Sequence, residues 1–134
     1  MRIQVKDFMS SPVATAVGKN TVKEIRALMK RKGIHSVPII RYTKKLPEAE
    51  VKIRGIVTGS DLNKDIDERV VAEEIMTPKV HIIHKNSSAQ SAAKMMLKYK
   101  VHHLVVMDEG KIIGMISSLD FVKLVADHSL IELT

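Results

Sequence analysis

Two short segments hold the residues best placed to do chemistry. Gly55-Ile56-Val57-Thr58-Gly59-Ser60-Asp61 is answered by Gly114-Met115-Ile116-Ser117-Ser118-Leu119-Asp120, each reading glycine, two apolar residues, a hydroxyl residue, two variable positions and aspartate. A carboxylate accepts from a vicinal diol with its two oxygens, and the free N–H groups of a helix start favour phosphate. Thr58, Ser60 and Ser117 add hydroxyls beside the carboxylates. The spacing is also that of a helix capping motif. The two roles coexist, because a capping hydroxyl already sits where an anion binds.

The remaining reactive residues point away from catalysis. There is no Cys for a Cys–His pair, no Gly-x-Ser-x-Gly elbow, no His-Glu-x-x-His and no Walker lysine loop, so the chain is not expected to be an enzyme and needs no catalytic cofactor. His81 and His84 are three apart on a candidate strand and point to opposite faces, so no metal site is assigned. His35, His102 and His103 fit equally as half-buried strand residues or as ligand contacts. Asp65, Asp67 and Glu68 read as solvated charge, and Met29, Met95 and Met96 as core filler.

The elements that must position the aspartates occur twice. Phe8-Met9-Ser10-Ser11-Pro12 is echoed by Ile75-Met76-Thr77-Pro78, and Ile34-His35-Ser36-Val37-Pro38-Ile39 by Val101-His102-His103-Leu104-Val105-Val106. After each proline, Val13–Val17 and Val80–Ile83 read as strands. Helices follow, with capping boxes at Thr21-x-x-Glu24 and Ser87-x-x-Gln90. Their apolar stripes are Val22, Ile25, Leu28, Met29 and Ala89, Ala92, Met96, Tyr99. Gly33 suits a left-handed cap for the first helix; its counterpart Lys100 does not, so the second helix is expected to end differently. Paired strands come next, Ser36–Arg41 with Val51–Thr58 and His102–Met107 with Lys111–Ser117, the latter around Asp108-Glu109-Gly110. The polar segment Tyr42–Glu50 reads as a surface loop. Final helices are expected over Leu62–Ile66 and Phe121–Asp127. Each repeat is then β-α-β-β-α, repeat 1 over residues 1–68 and repeat 2 over 69–134, a mixed α/β (α+β) fold. One unit this small is marginal alone, so the copies are expected to pack about a pseudo-two-fold axis.

Composition sets the class. The chain has 134 residues and 3% aromatics, too few for base-stacking surfaces. The missing Cys fits a reducing interior, no segment resembles a signal sequence or a bilayer-spanning run, and a cytoplasmic location without membrane contact is expected. A net charge of +7 favours polyanions, with Lys30-Arg31-Lys32 and Lys44-Lys45 the densest runs.

With Met-Thr-Pro at 76–78, His-x-x-Pro at 35–38 and two Gly-x-x-[Thr/Ser]-x-x-Asp segments, the chain resembles a tandem pair of cystathionine-β-synthase (CBS) domains, a Bateman module, from about Val5 to Asp127. The resemblance implies a stand-alone regulatory module that binds adenosine-containing ligands (AMP, ADP, ATP or S-adenosylmethionine) in two clefts between the repeats. It makes Asp61 and Asp120 ribose acceptors and Thr58, Ser60 and Ser117 phosphate or ribose contacts. It nominates Thr77, Val80, His35 and Ser36 for the Asp61 cleft, and Ser10, Ala14, His102 and His103 for the Asp120 cleft. It further implies a homodimer formed through helices and an effector protein as partner. With Ser60 beside Asp61 but Leu119 beside Asp120, tighter phosphate binding is expected at Asp61. The alternative is a structural or nucleic-acid-binding adaptor with vestigial nucleotide clefts, in which the positive charge does the binding.

Overall fold

A computed structural model describes residues 2–43, 50–63 and 65–128. The elements in chain order are α1 (Val5–Phe8), β1 (Ala16–Val17), α2 (Val22–Lys32), β2 (Ser36–Tyr42), β3 (Val51–Thr58), a 3-10 turn at Gly59–Asp61, α3 (Ala72–Ile75), β4 (Ile82–His84), α4 (Ala89–Tyr99), β5 (His103–Asp108), β6 (Lys111–Ser117) and α5 (Ser118–Asp127). They form two compact units. Ala14–Val80 make one, and the residues up to Val13 join those from His81 onward in the other.

In the first unit the sheet order is β1-β2-β3. β1 runs parallel to β2, with Ala16 opposite Ile39, a pairing that needs a crossover connection; α2 supplies it. β2 and β3 are antiparallel from Ser36–Thr58 to Tyr42–Val51, with a register shift at Ile39/Ile40. Helix α2 forms because Thr21 caps it: the Thr21 hydroxyl accepts from the Glu24 N–H at 3.2 Å, and the Glu24 carboxylate accepts from the Thr21 N–H at 3.0 Å. Gly33 ends it at φ 63°. Its apolar face buries Ile25 and Met29 against Val37, Ile39, Val57 and Ala72, with Leu28 half-buried at the margin.

The second unit repeats the plan with β4-β5-β6. Ile82 lies opposite Val105 in the parallel pair, and His103–Ser117 to Asp108–Lys111 form the antiparallel pair. Glu109 and Gly110 both take positive φ, 49° and 76°, the two-residue hairpin geometry that matches strand twist. The core gathers Val5, Ile83, Ala92, Met96, Leu104, Val106 and Ile116, with Phe8 and Phe121 edge to face at 5.1 Å.

The short lead-in helices α1 and α3 escape the periodicity argument, since one turn shows no period. They determine how each unit closes. In the second unit Ser10 and Met115 exchange backbone hydrogen bonds of 2.8 and 2.9 Å; in the first, Thr77 and Ile56 exchange two of 2.9 Å. Gly55 and Gly114 permit this approach. A Cβ on Gly55 would lie 2.7 Å from the Thr77 carbonyl oxygen, and one on Gly114 would lie 3.1 Å from that of Ser10 and against the Met9 sulfur.

Several local expectations change. β1 covers only Ala16–Val17 of the expected Val13–Val17, and β4 runs over Ile82–His84 rather than Val80–Ile83. Helix α4 is capped by Ser88, whose hydroxyl accepts from the Ser91 N–H at 3.0 Å; the Ser87 carbonyl instead accepts from the Val5 N–H. Lys100 adopts the left-handed conformation at φ 54°, so α4 ends as α2 does. The Val101 N–H bonds to the Met96 carbonyl just as Ile34 bonds to Met29, and that closure imposes the conformation whatever the side chain. Tyr99 is 42% exposed rather than part of the buried stripe, stacked on His81 at 4.2 Å. No described residue of 62–66 is helical. There the Asn63 side chain accepts from the Asp65 N–H, and the Asn63 carbonyl accepts from Arg26 at 2.6 Å, local bonds that compete with a helix. Most of the expected Tyr42–Glu50 loop lies outside the described residues.

Candidate ligand-binding site

Each aspartate sits where the last strand of its unit ends, and a histidine-bearing strand start holds the turn. The Gly59 N–H donates to the His35 carbonyl at 3.0 Å, and the Ser118 N–H to the His102 carbonyl at 3.1 Å. The His102 ring Nδ1 lies 3.3 Å from the Ser118 hydroxyl. Ser36 pairs with Thr58, and His103 with Ser117, as the first rungs of β2–β3 and β5–β6.

One oxygen of each carboxylate is fixed in the same way. Asp61 Oδ2 accepts from the Thr58 N–H at 2.8 Å and from the Thr58 hydroxyl at 3.1 Å. Asp120 Oδ2 accepts from the Ser117 N–H and hydroxyl at the same two distances. The other oxygen differs. Asp120 Oδ1 accepts from the Ser10 hydroxyl at 3.1 Å, whereas none of the described residues donates to Asp61 Oδ1. Asp120 is 8% exposed, and Asp61 is half-buried.

The turns also differ. After Ser117 the chain continues into the ten-residue α5; after Thr58 it makes only the 3-10 turn. A full helix start therefore exists only beside Asp120. The first unit offers hydroxyls instead, with Thr58 Oγ1 and Ser60 Oγ 2.8 Å apart, where the second has exposed Leu119.

The other nominated residues are placed as follows. Ser10 reaches Asp120, and Thr77 borders β3 at Ile56, two residues before Thr58. Val80 and Ala14 are both half-buried and both fall in the first unit, at its two ends. Among the described residues no group of three or more His, Asp or Glu is arranged to hold a metal. His81 stacks on Tyr99, and His84 Nδ1 accepts from the Asn86 N–H. No helix among the described residues is long and apolar enough to cross a membrane.

Away from the aspartates, Glu73 receives hydrogen bonds from Lys19 at 2.8 Å and Arg54 at 3.1 Å, which hold its carboxyl below the ordinary carboxylate range, Lys19 first. Periodicity did not reveal a mainly apolar groove of about 550 Å³ in the second unit, lined by Ala93, Met96, Leu97, Val101 and Phe121 with Lys100, His102 and Ser118 at its polar side. Its signal was present in Leu97, 79% exposed on the outer side of α4; Val122 and Val125 on α5 are exposed as well.

A family model for the CBS domain matches residues 5–68 and again 71–127. The chain belongs to the CBS-domain family. The CBS pair is similar to the CBS domain pair of protein MJ0100, solved in complex with 5′-methylthioadenosine and S-adenosyl-L-methionine. The two share 26% identity with a TM-score of 0.79, over 95% of this chain and 98% of that one. Among curated relatives, the CBS domain-containing protein YhcV of Bacillus subtilis (strain 168) is 23% identical over 122 residues, 84% of this chain and 79% of YhcV. The inosine-5′-monophosphate dehydrogenase of Korarchaeum cryptofilum (strain OPF8) is 29% identical over 118 residues, 87% of this chain but 23% of the enzyme. The chain thus spans less than a quarter of that relative. A CBS pair is a regulatory module, and the two Gly-x-x-[Thr/Ser]-x-x-Asp segments of this one lie in its two family matches.

Proposed function

We propose that this CBS pair senses adenosine-containing ligands, AMP, ADP, ATP or S-adenosylmethionine, with Asp61 and Asp120 as acceptors for ribose hydroxyls. The observation that carries the reading is Asp61: a half-buried carboxylate with Oδ2 anchored by Thr58 and Oδ1 without a donor among the described residues, beside the hydroxyls of Thr58 and Ser60. The adenosine-type ligands named for the MJ0100 pair support the ligand class. Thr58, Ser60, Ser36, His35, Thr77 and Val80 accompany Asp61. Ser117, Ser10, His102 and His103 accompany Asp120; Ala14, nominated with them, falls in the first unit.

Two terms compete over which site is tighter. The α5 start contributes roughly 0.3–1 kcal/mol toward phosphate at Asp120. An open carboxylate oxygen accepting a ribose hydroxyl contributes about 1.5–3 kcal/mol at Asp61. The ribose contribution is larger, so Asp61 is the tighter site overall, while the helix start moves the phosphate preference, expected at Asp61, toward Asp120. Ligands shift the module only through unequal affinity for its conformations, and the output passes to an effector protein. Exposed Leu97 in the apolar groove, and the exposed Val122 and Val125 on α5, support a homodimer formed through α4 and α5.

Thermal shift with AMP, ATP and S-adenosylmethionine tests the reading. At 100 times its dissociation constant a ligand adds about 2.7 kcal/mol, a rise of about 9 °C for a chain of this length. No shift with any of the three rejects the proposal. A nucleic-acid-binding adaptor is the second reading, favoured by α2, whose eleven residues carry Lys23, Arg26, Lys30, Arg31 and Lys32 against Glu24. Its signature is affinity for duplex DNA or RNA that falls steeply with salt.

A further inference from the structure

Resting on the reading of both carboxylates as ribose acceptors, we propose that Ser10 is an internal stand-in for a ribose hydroxyl, a latch that competes at Asp120 and weakens its hold on a ligand diol relative to Asp61. The two aspartates share a motif, a strand end and an anchoring pair of hydrogen bonds. They differ in what meets Oδ1. A bidentate grip on a vicinal diol uses both carboxylate oxygens. Asp61 has one of them uncommitted among the described residues, whereas Asp120 has given its own to the Ser10 hydroxyl at 3.1 Å.

Ser10 is well fixed for this role. Its N–H and carbonyl are both bonded to Met115, and Met9 packs where a side chain on Gly114 would stand, so the lead-in backbone is held against β6. Only rotation about the Ser10 Cα–Cβ bond frees Asp120 Oδ1. Thr77 occupies the matching place in the first unit, exchanging backbone bonds with Ile56, yet its hydroxyl makes no bond to Asp61. The asymmetry therefore comes from the lead-in segments, which lie outside both aspartate motifs. A diol entering at Asp120 must share Oδ1 with, or displace, a hydroxyl of the same chemical kind that never diffuses away. Losing one hydrogen bond to a charged acceptor corresponds to about tenfold in affinity or more.

Titration calorimetry on the full chain with adenosine, which carries the diol without phosphate, decides the matter. Asp61→Ala leaves Asp120 as the remaining acceptor, and Asp61→Ala is compared with Asp61→Ala/Ser10→Ala. The added Ser10→Ala is expected to tighten adenosine about tenfold, and 2′-deoxyadenosine is expected to gain less. Unchanged or weakened adenosine binding overturns the latch, weakened binding marking Ser10 as a ligand contact instead. Folding is checked by thermal melts, and Ser10→Gly is the second variant, expected to give the same gain. If the unsubstituted protein binds adenosine no better than 2′-deoxyadenosine, the ribose reading of the carboxylates fails first and the latch falls with it.

Discussion

Replacing Gly55 with alanine tests the closest backbone approach in the first unit. The new Cβ would stand 2.7 Å from both the Met76 sulfur and the Thr77 carbonyl oxygen. The sulfur ends a flexible side chain and can swing away. The carbonyl cannot, because it accepts the Ile56 N–H at 2.9 Å; the lead-in must lift, weakening that pair. Such overpacking costs about 1–3 kcal/mol, offset by roughly 0.4–1 kcal/mol from the smaller conformational freedom of alanine in the unfolded chain. Gly59, four residues on, is the control: nothing lies within 4 Å of its Cβ position, and its φ is outside the left-handed range. Gly59→Ala therefore keeps only the favourable term. The two alanine variants should differ by about 2 kcal/mol, or roughly 7 °C in Tm. Urea unfolding followed by circular dichroism reads the difference, provided the m-values agree. Equal stability of the two variants would refute the claim that the glycine exists to admit the lead-in.

Two further outcomes follow from local geometry. Lys100→Gly should stabilise the protein by about 0.5–1 kcal/mol, because a left-handed φ strains any side chain with a Cβ; denaturant midpoints below the original would contradict it. Glu73 gives a pH dependence. Its carboxyl is held down chiefly by the Lys19 hydrogen bond and then by Arg54. A depressed folded-state value contributes stability that is complete above the ordinary 4.5 and is lost as pH falls through the lower folded value. Glu73→Gln should flatten that acid limb below about pH 4.5, and superimposable limbs for the two proteins would exclude the ion pairs as its source.

Strong local signals were legible in the sequence, and tertiary demands were hidden. The Thr21–Glu24 capping box, the Gly33 cap and the Glu109-Gly110 hairpin form as their residues dictate, because each is decided within a few residues. Lys100 misled because its conformation is imposed by helix closure against residue preference. The choice of Ser88 over Ser87 depends on where the α1 backbone docks, since Ser87 serves Val5. The segment 62–66 has a helical composition, yet Asn63 accepts from the Asp65 N–H and from Arg26 instead. The aspartates and their hydroxyl anchors could be found from the repeat alone. That only Asp120 is bonded to Ser10 could not, for the partner is 110 residues away, and a serine in the lead-in looks no different from the threonine at 77.

The exchange of lead-ins also sets a timetable for synthesis. Ala14–Val80 is one uninterrupted stretch that can close as soon as it has left the ribosome. The other unit needs Val5, Met9 and Ser10 beside a strand containing Met115, made 105 residues after Ser10. At about 5–20 residues per second, the interval is about 5–20 s. For that time Val5, Phe8 and Met9 have no core of their own unit to enter. Any fusion, chaperone or neighbouring chain that captures them in the interval leaves the later unit with an open edge along β6, while the earlier unit folds undisturbed.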